Sequence, residues 1–246
     1  MKNSAVRAQA GFTLLEVLLA VAITAMIGVG SAQLLNSIIN AKQGVDIRSE
    51  KLASLQRFNM AVSRDIEQII NRPIRDIYGD EQAALRINDG DYPLEFTRAG
   101  WRNSPVAEDP RSELQRVAYR MEPIDSEACE VAYARLQSWG VNQPEGECLV
   151  RYFWPVLDQA SVSEPLTQVV LEQIDGFEIE LLVSEESADS ESEGVTQETG
   201  RNWYTDWPAI NAGLGGVETP LVIRWRLELP ELGSIERQWF IPWGDF

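Results

Sequence analysis

The sequence predicts an α+β fold, one long N-terminal helix laid on a twisted β head, and three features carry that expectation. Residues Val17–Ala41 hold no formal charge, apolar side chains then recur at helical spacing as far as Ile69, and beyond Pro73 the apolar pattern changes to period two amid dense turn signals. With 246 residues, 44% hydrophobic and 9% aromatic, the chain can fill one sizeable core.

The first element is a membrane address. Residues 1–11 carry Lys2 and Arg7 and no acid, and an apolar run follows that only Glu16 interrupts. The uncharged stretch would reach roughly 37 Å as a helix, against a hydrocarbon core of about 30 Å. Both basic residues precede it, so the positive-inside bias keeps the short N-terminus in the cytoplasm and sends the rest outward, which in a Gram-negative cell means the periplasm. A cleaved secretory signal would have its A-x-A site at Ala20-Val21-Ala22, but Glu16 lies inside its apolar region and the run continues to Leu35. An uncleaved anchor accommodates the length and leaves the carboxylate where burial costs a few kcal/mol.

Gly11-Phe12-Thr13-Leu14-Leu15-Glu16, behind a basic leader and opening an apolar span, resembles the processing signature of the type IV pilin and pseudopilin superfamily. The resemblance implies cleavage between Gly11 and Phe12 by a prepilin peptidase and N-methylation of Phe12. It also implies that Glu16 pairs with the α-amine of a neighbouring subunit, which offsets desolvation of the carboxylate and sets the stagger between subunits.

Leu52, Leu55, Phe58, Val62, Ile66 and Ile69 fall on one helical face, with Arg48, Glu50, Arg57, Arg64 and Glu67 opposite. The helix is expected to continue out of the membrane and to stop at Arg72-Pro73, because proline disfavours helical geometry in the residue before it. Gly28, Gly30 and Gly44 argue against unbroken helicity, each costing about 1 kcal/mol relative to Ala. The organisation expected is a leader over 1–11, a transmembrane and assembly helix over 12–41, its periplasmic continuation over 42–72, and a β-rich head over 73–246 with an acidic loop at 184–200.

Strands are expected at Leu94–Thr97, Leu114–Arg120, Leu149–Trp154, Gln168–Leu171, Phe177–Val183, Leu221–Leu229 and Ile235–Phe240. Turns are expected at Asn88–Asp91, Asn103–Pro105, Gln143–Gly146 and Ala212–Gly216. No internal repeat and no second hydrophobic core is legible. Five blocks, Arg72–Asp76 with Gly79-Asp80, Glu95–Trp101, Leu114–Tyr119 and Trp154–Asp158, together with the N-terminus, resemble the minor pseudopilin J family of type II secretion. That resemblance implies the pseudopilin fold, a long N-terminal helix on a mainly antiparallel two-sheet head. It also implies a non-enzymatic subunit at the pseudopilus tip, joined to minor pseudopilins I and K, and often H. Such a tip primes assembly of the major pseudopilin G and the export of folded exoproteins across the outer membrane. Two other readings keep the N-terminal segment and change the role: a minor pilin of a type IV pilus serving adhesion or DNA uptake, and a membrane-anchored periplasmic binding protein or enzyme.

Composition narrows the chemistry. With 21 Lys+Arg against 38 Asp+Glu, a net charge of −17, an electrostatic grip on nucleic acid is excluded as the main activity. The absence of histidine removes Ser-His-Asp and Cys-His catalysis and histidine-ligated zinc. Lys2, Lys42 and Lys51 are the only lysines, so none in the head can act as a Schiff-base nucleophile. The sequence selects no cofactor, no metal site and no catalytic residue. Cys129 and Cys148 are the only cysteines, and in an oxidising periplasm a structural disulfide is favoured over two buried thiols or a soft-metal site. Asn88-Asp89-Gly90-Asp91 lacks the spacing and distal glutamate of an EF-hand and reads as a turn. The acids Glu178, Glu180, Glu185, Glu186, Asp189, Glu191, Glu193 and Glu198 come without an intervening base and read as a solvated loop, with a contact for basic surfaces as the rival. Trp203, Trp207 and Trp243 lie in stretches without strand alternation, which makes them candidate interface residues.

Overall fold

The computed structural model describes residues 12–76, 78–100, 113–154, 157, 164–187, 200–208 and 216–242. The chain divides into two units, Met1–Leu52 and Ala53–Phe246. In the first, the described residues form the N-terminal part of helix α1 (Leu14–Glu67), and none of their side chains is buried. The helix runs through Gly28, Gly30 and Gly44 without a break, which corrects the doubt those residues raised; a Cβ at any of the three would meet nothing within 4 Å.

In the second unit the end of α1 meets two antiparallel sheets. A five-stranded sheet has the order β3 (Leu85–Ile87), β4 (Leu94–Arg98), β5 (Gln115–Pro123), β6 (Glu147–Trp154) and β7 (Leu166–Ile174). A four-stranded sheet has the order β11 (Gly233–Phe240), β10 (Gly216–Leu229), β8 (Gly176–Ser187) and β9 (Gly200–Tyr204). A small pair, β1 (Ile74–Arg75) and β2 (Glu81–Gln82), precedes them. All seven expected strands are present. The short β1, β2 and β3, and β9 beside the acidic stretch, are additional.

The helix ends at Glu67 rather than at Arg72, and the cause is tertiary. The amides of Gln68 and Ile69 bond three residues back, and the Ile70 amide donates to Thr97 O at 3.0 Å while the Ala99 amide donates to Gln68 O at 2.9 Å, so the chain leaves the helix to pair with β4. Residues 184–187, expected in the acidic loop, continue β8, with Ser184 opposite Thr219 and Ser187 opposite Gly216. At Asn88–Asp91 the expected turn joins β3 to β4, with Asn88 at φ 49° and Gly90 at φ 113°. The turns expected at Asn103–Pro105 and at Ala212–Gly216, save Gly216, lie outside the described residues.

The main core lies between the two sheets. Phe58, Val62 and Ile66 from α1, and Ile69 just beyond its end, pack there with Phe96, Val117, Tyr119, Leu149, Ile179, Leu181, Ile223 and Leu227. Trp225 is fully buried at its centre, with ring centroids of Phe177, Tyr119, Trp239 and Phe58 at 4.8, 5.0, 5.7 and 6.1 Å. A second cluster corrects the expectation of a single core. On the opposite face of the five-stranded sheet, helix α2 (Glu130–Ser138) sets Ala132 and Leu136 against Ala118, Cys148, Val150, Tyr152 and Trp154. Strand β6 is therefore buried on both faces, and its near-continuous apolar run Cys148–Trp154 is the pattern such burial requires.

Candidate functional site

At the start of α1, Thr13 is the N-cap. Its amide and Oγ1–H donate to Glu16 Oε2 at 3.0 and 3.1 Å, and the Glu16 amide donates back to Thr13 Oγ1 at 3.3 Å, a reciprocal capping box. Helix starts leave amides without intrahelical partners, and here the carboxylate meets one of them. Phe12 is 88% exposed; Gly11 lies outside the described residues. Beyond Glu16 the helix shows Val17, Leu18, Leu19, Val21, Ile23, Met26, Ile27, Leu34, Leu35 and Ile38 on its surface. An apolar surface of that extent, with a window of mean hydropathy 2.1, is covered in the cell by lipid or by other apolar helices.

In the second unit a buried ion cluster fixes the end of the helix to the five-stranded sheet. Asp65 accepts from Tyr119 Oη at 2.7 Å, from Arg151 Nε, from Arg151 Nη2 at 3.3 Å and from Arg98 Nη1. One helix carboxylate thus gathers side chains from β4, β5 and β6. Arg98 also donates to Gln68 Oε1 and to Ala99 O. Burial, and then the negative charge of Asp65, push the Tyr119 phenol well above its ordinary range. Beside this cluster, fully buried Arg116 donates to Glu95 Oε1 at 2.7 Å, to Thr97 Oγ1 at 3.1 Å and to the carbonyls of Ala83 and Ala84 at 3.0 Å. These groups are ion-paired and sealed from solvent, which suits holding a scaffold rather than proton transfer. Among the described residues no three His, Cys, Asp or Glu side chains are placed to hold a metal ion.

A disulfide joins Cys129 to Cys148, both buried, and fastens the short 3-10 turn Glu127–Cys129 and α2 to β6. At the far side of α2, Arg135 donates to Glu172 Oε1 while Ser54 Oγ donates to Glu172 Oε2 at 2.5 Å, so α1, α2 and β7 share one carboxylate.

The tryptophans separate. Trp207 is a correction to the projecting-loop reading: it is buried, its backbone pairs with Ile87 at 2.8 and 2.9 Å, and it packs beside Tyr204. Trp203 is 39% exposed on β9 under the Arg224 guanidinium, 3.8 Å from the ring centroid. Trp243 lies outside the described residues. On the outer face of the four-stranded sheet, cross-strand register lines up Trp203, Leu182, Val222 and Phe240, the last 70% exposed. The next rungs are charged and self-paired, with Glu180 on Arg224 at 2.8 Å and Glu178 on Arg226 at 2.9 Å. Two of the acids read as part of a solvated run are therefore engaged within the sheet, while Asp189, Glu191, Glu193 and Glu198 lie outside the described residues.

The Asp65 cluster has no local motif in the sequence. The available signal was an acid in the buried phase of the helix, between Val62 and Ile66, with arginines interrupting apolar strands at positions 98, 116 and 151. The Cys129–Cys148 segment likewise carried a helical signal, apolar residues at 132 and 136.

Comparison with known proteins bears on both units. The model of the family described as Type II secretion system (T2SS), protein J matches residues 33–241, and that of the Prokaryotic N-terminal methylation motif matches residues 6–32. The chain is 27% identical over 240 residues to Type II secretion system protein J of Escherichia coli, covering 96% of this chain and 97% of that one. It is 27% identical over 243 residues to the Klebsiella pneumoniae protein of the same name, covering 98% of each. Among solved structures, the fold is similar to a chain of the GspK-GspI-GspJ complex from enterotoxigenic Escherichia coli, with a TM-score of 0.50 and 23% identity over 78% of this chain and 97% of that chain.

Proposed function

Because the chain belongs to the type II secretion system protein J family, the minor pseudopilins of that machine, we propose that it is a non-enzymatic tip subunit of the pseudopilus. The observation that carries the reading is the adjacency of two matches on one chain, the methylation motif over 6–32 and the protein J family over 33–241. The second of these favours a secretion machine over a pilus.

On this reading the basic leader 1–11 holds the N-terminus in the cytoplasm while the apolar helix spans the inner membrane and the head stands in the periplasm. A prepilin peptidase cuts between Gly11 and Phe12, and Phe12 is N-methylated. Removal of the leader creates an α-amine next to the capping box, and in low dielectric an amine of a neighbouring subunit is a strong partner for Glu16. The exposed apolar helix lets the subunit pass from lipid to a helical filament without uncovering new apolar surface to water. A solved chain similar to this fold comes from a GspK-GspI-GspJ complex. The partners proposed are accordingly minor pseudopilins I and K, with H, in a tip that primes assembly of the major pseudopilin G.

The test is complementation of a strain lacking this gene. Wild-type protein should restore exoprotein release; Glu16→Ala should be processed and inserted but recruited poorly to partners. Full complementation by Glu16→Ala sets aside charge pairing at this subunit, and normal exoprotein release from the deletion strain contradicts the secretion role.

A further inference from the structure

Strand β7 stands at the end of the five-stranded sheet, so a side chain on it can meet what packs on either face. Glu172 is buried there, and its two carboxylate oxygens divide between helices on opposite faces. Oε2 accepts from Ser54 of α1 at 2.5 Å, and Oε1 accepts from Arg135 of α2. Ser54 is the first buried residue of α1, and the next, Phe58, comes one turn later. The Glu172 carboxylate therefore fixes where the hold of the head on the helix begins.

The other end of this link is weakly built. Helix α2 has nine residues, too few for a helix to be stable alone, and of their side chains Ala132 and Leu136 are the buried ones. Its N-cap, Cys129, makes no side-chain capping bond, and that end is held instead by the covalent bond to Cys148 of β6. With the bond broken, α2 and its Arg135 are free to leave the sheet. The buried carboxylate then keeps a hydroxyl and loses its guanidinium, and burial of an unpaired charge is costly. Turning out from the sheet edge to water relieves that cost and breaks the bond to Ser54.

We propose that Glu172 is an oxidation-dependent latch: the Cys129–Cys148 disulfide keeps Arg135 on Glu172, and Glu172 so paired keeps the first buried turn of α1 on the head. Forming the disulfide takes two electrons and two protons from the two thiols; they pass to the disulfide of a thiol oxidase and leave it a dithiol. Both sulfurs are buried once α2 has docked, so the latch is set as the head folds. A chain whose thiols stay reduced would hold α1 from Phe58 instead of Ser54, about 6 Å further along the helix. The latch goes beyond the tip reading and stands whether or not that reading does.

The experiment is hydrogen exchange, read by mass spectrometry, on the full-length chain in mild detergent. Arg135→Ala, with the disulfide intact, should raise exchange over residues 53–58 about 10-fold or more, while residues 62–66, held by Asp65, keep their protection. Cys129→Ala/Cys148→Ala should raise exchange in α2 and next over 53–58, and adding Arg135→Ala to it should change 53–58 little further. Glu172→Gln leaves no charge to strand, so in that background removing the disulfide should no longer move 53–58. Unchanged exchange over 53–58 in Arg135→Ala overturns the latch. A rise confined to α2 when the cysteines are replaced overturns it equally, as does a disulfide effect on 53–58 that persists in full with Glu172→Gln. Where the cysteine variant loses protection throughout the head, Arg135→Ala decides by itself, because it keeps the disulfide.

Discussion

Tyr119 on the central strand β5 donates its phenolic hydrogen to Asp65 of helix α1 at 2.7 Å, with both side chains fully buried. Arg98 and Arg151 converge on the same carboxylate from the strands on either side. Asp65 is the keystone because one acid answers three donors on three adjacent strands. Replacing it with Ala leaves two buried guanidinium groups uncompensated and should cost about 3–5 kcal/mol, enough to unfold much of a marginal head. Tyr119→Phe removes one hydrogen bond to a charged group and should cost about 1.5–3 kcal/mol. Urea unfolding of the two variants and of their double mutant measures both, and the double mutant should fall short of additivity.

Alkaline titration tests the two faces of the five-stranded sheet through a tyrosine on each. Burial and then the hydrogen bond to Glu122 push Tyr152 up to about 12, and Tyr119 is held well above its ordinary range. In both cases the folded state keeps the phenol proton more tightly than the unfolded chain. The stabilisation is therefore complete below about pH 10 and is lost as pH rises from there towards the folded values. Unfolding midpoints should fall steeply between pH 10 and 12, and Tyr152→Phe should flatten that fall. An unchanged slope in the variant contradicts the assignment.

The Cys129–Cys148 loop should govern local stability around α2. Closing a loop of 19 positions contributes about 3 kcal/mol in the chain-entropy picture. Cys129→Ala/Cys148→Ala, or reduction, should lower head stability by about that amount and raise hydrogen exchange first in α2 and its 3-10 turn, with the Trp225 core protected longer. Uniform loss of protection across both clusters would show that α2 is not a separable layer.

Trp225 should be the most sensitive apolar position. Four aromatic rings surround it, and truncation to Ala in so packed a place costs about 3–5 kcal/mol through lost contacts and the cavity left behind. Its fluorescence should be blue-shifted in the native protein, and the variant should lose that component along with stability.

The helix and the long strands were legible because their periodicity reports burial directly. Phe177–Leu181 and Val222–Leu227 alternate because one face meets the core and the other water, and the stripe Leu55–Ile66 is apolar because it is the inner face of α1. The end of the helix was not legible, because residues 68–70 are withdrawn by hydrogen bonds to β4, a partner roughly thirty positions away that no local pattern contains. The second core was hidden for a related reason: a strand buried on both faces loses its alternation, and α2 is too short for its two buried positions to stand out. The methylation motif was legible because it is local, whereas Asp65 takes its meaning from the side chains that lie opposite it in space.

The most direct test of the account is the intact mass and N-terminal peptide of the native protein extracted from membranes. Processing as a pseudopilin predicts a chain that begins at N-methylated Phe12, with the leader through Gly11 removed. A chain that begins at Ile23, as a secretory signal cut after Ala22 would leave it, or one that retains Met1, would contradict processing as a pseudopilin and with it the assembly role of Glu16.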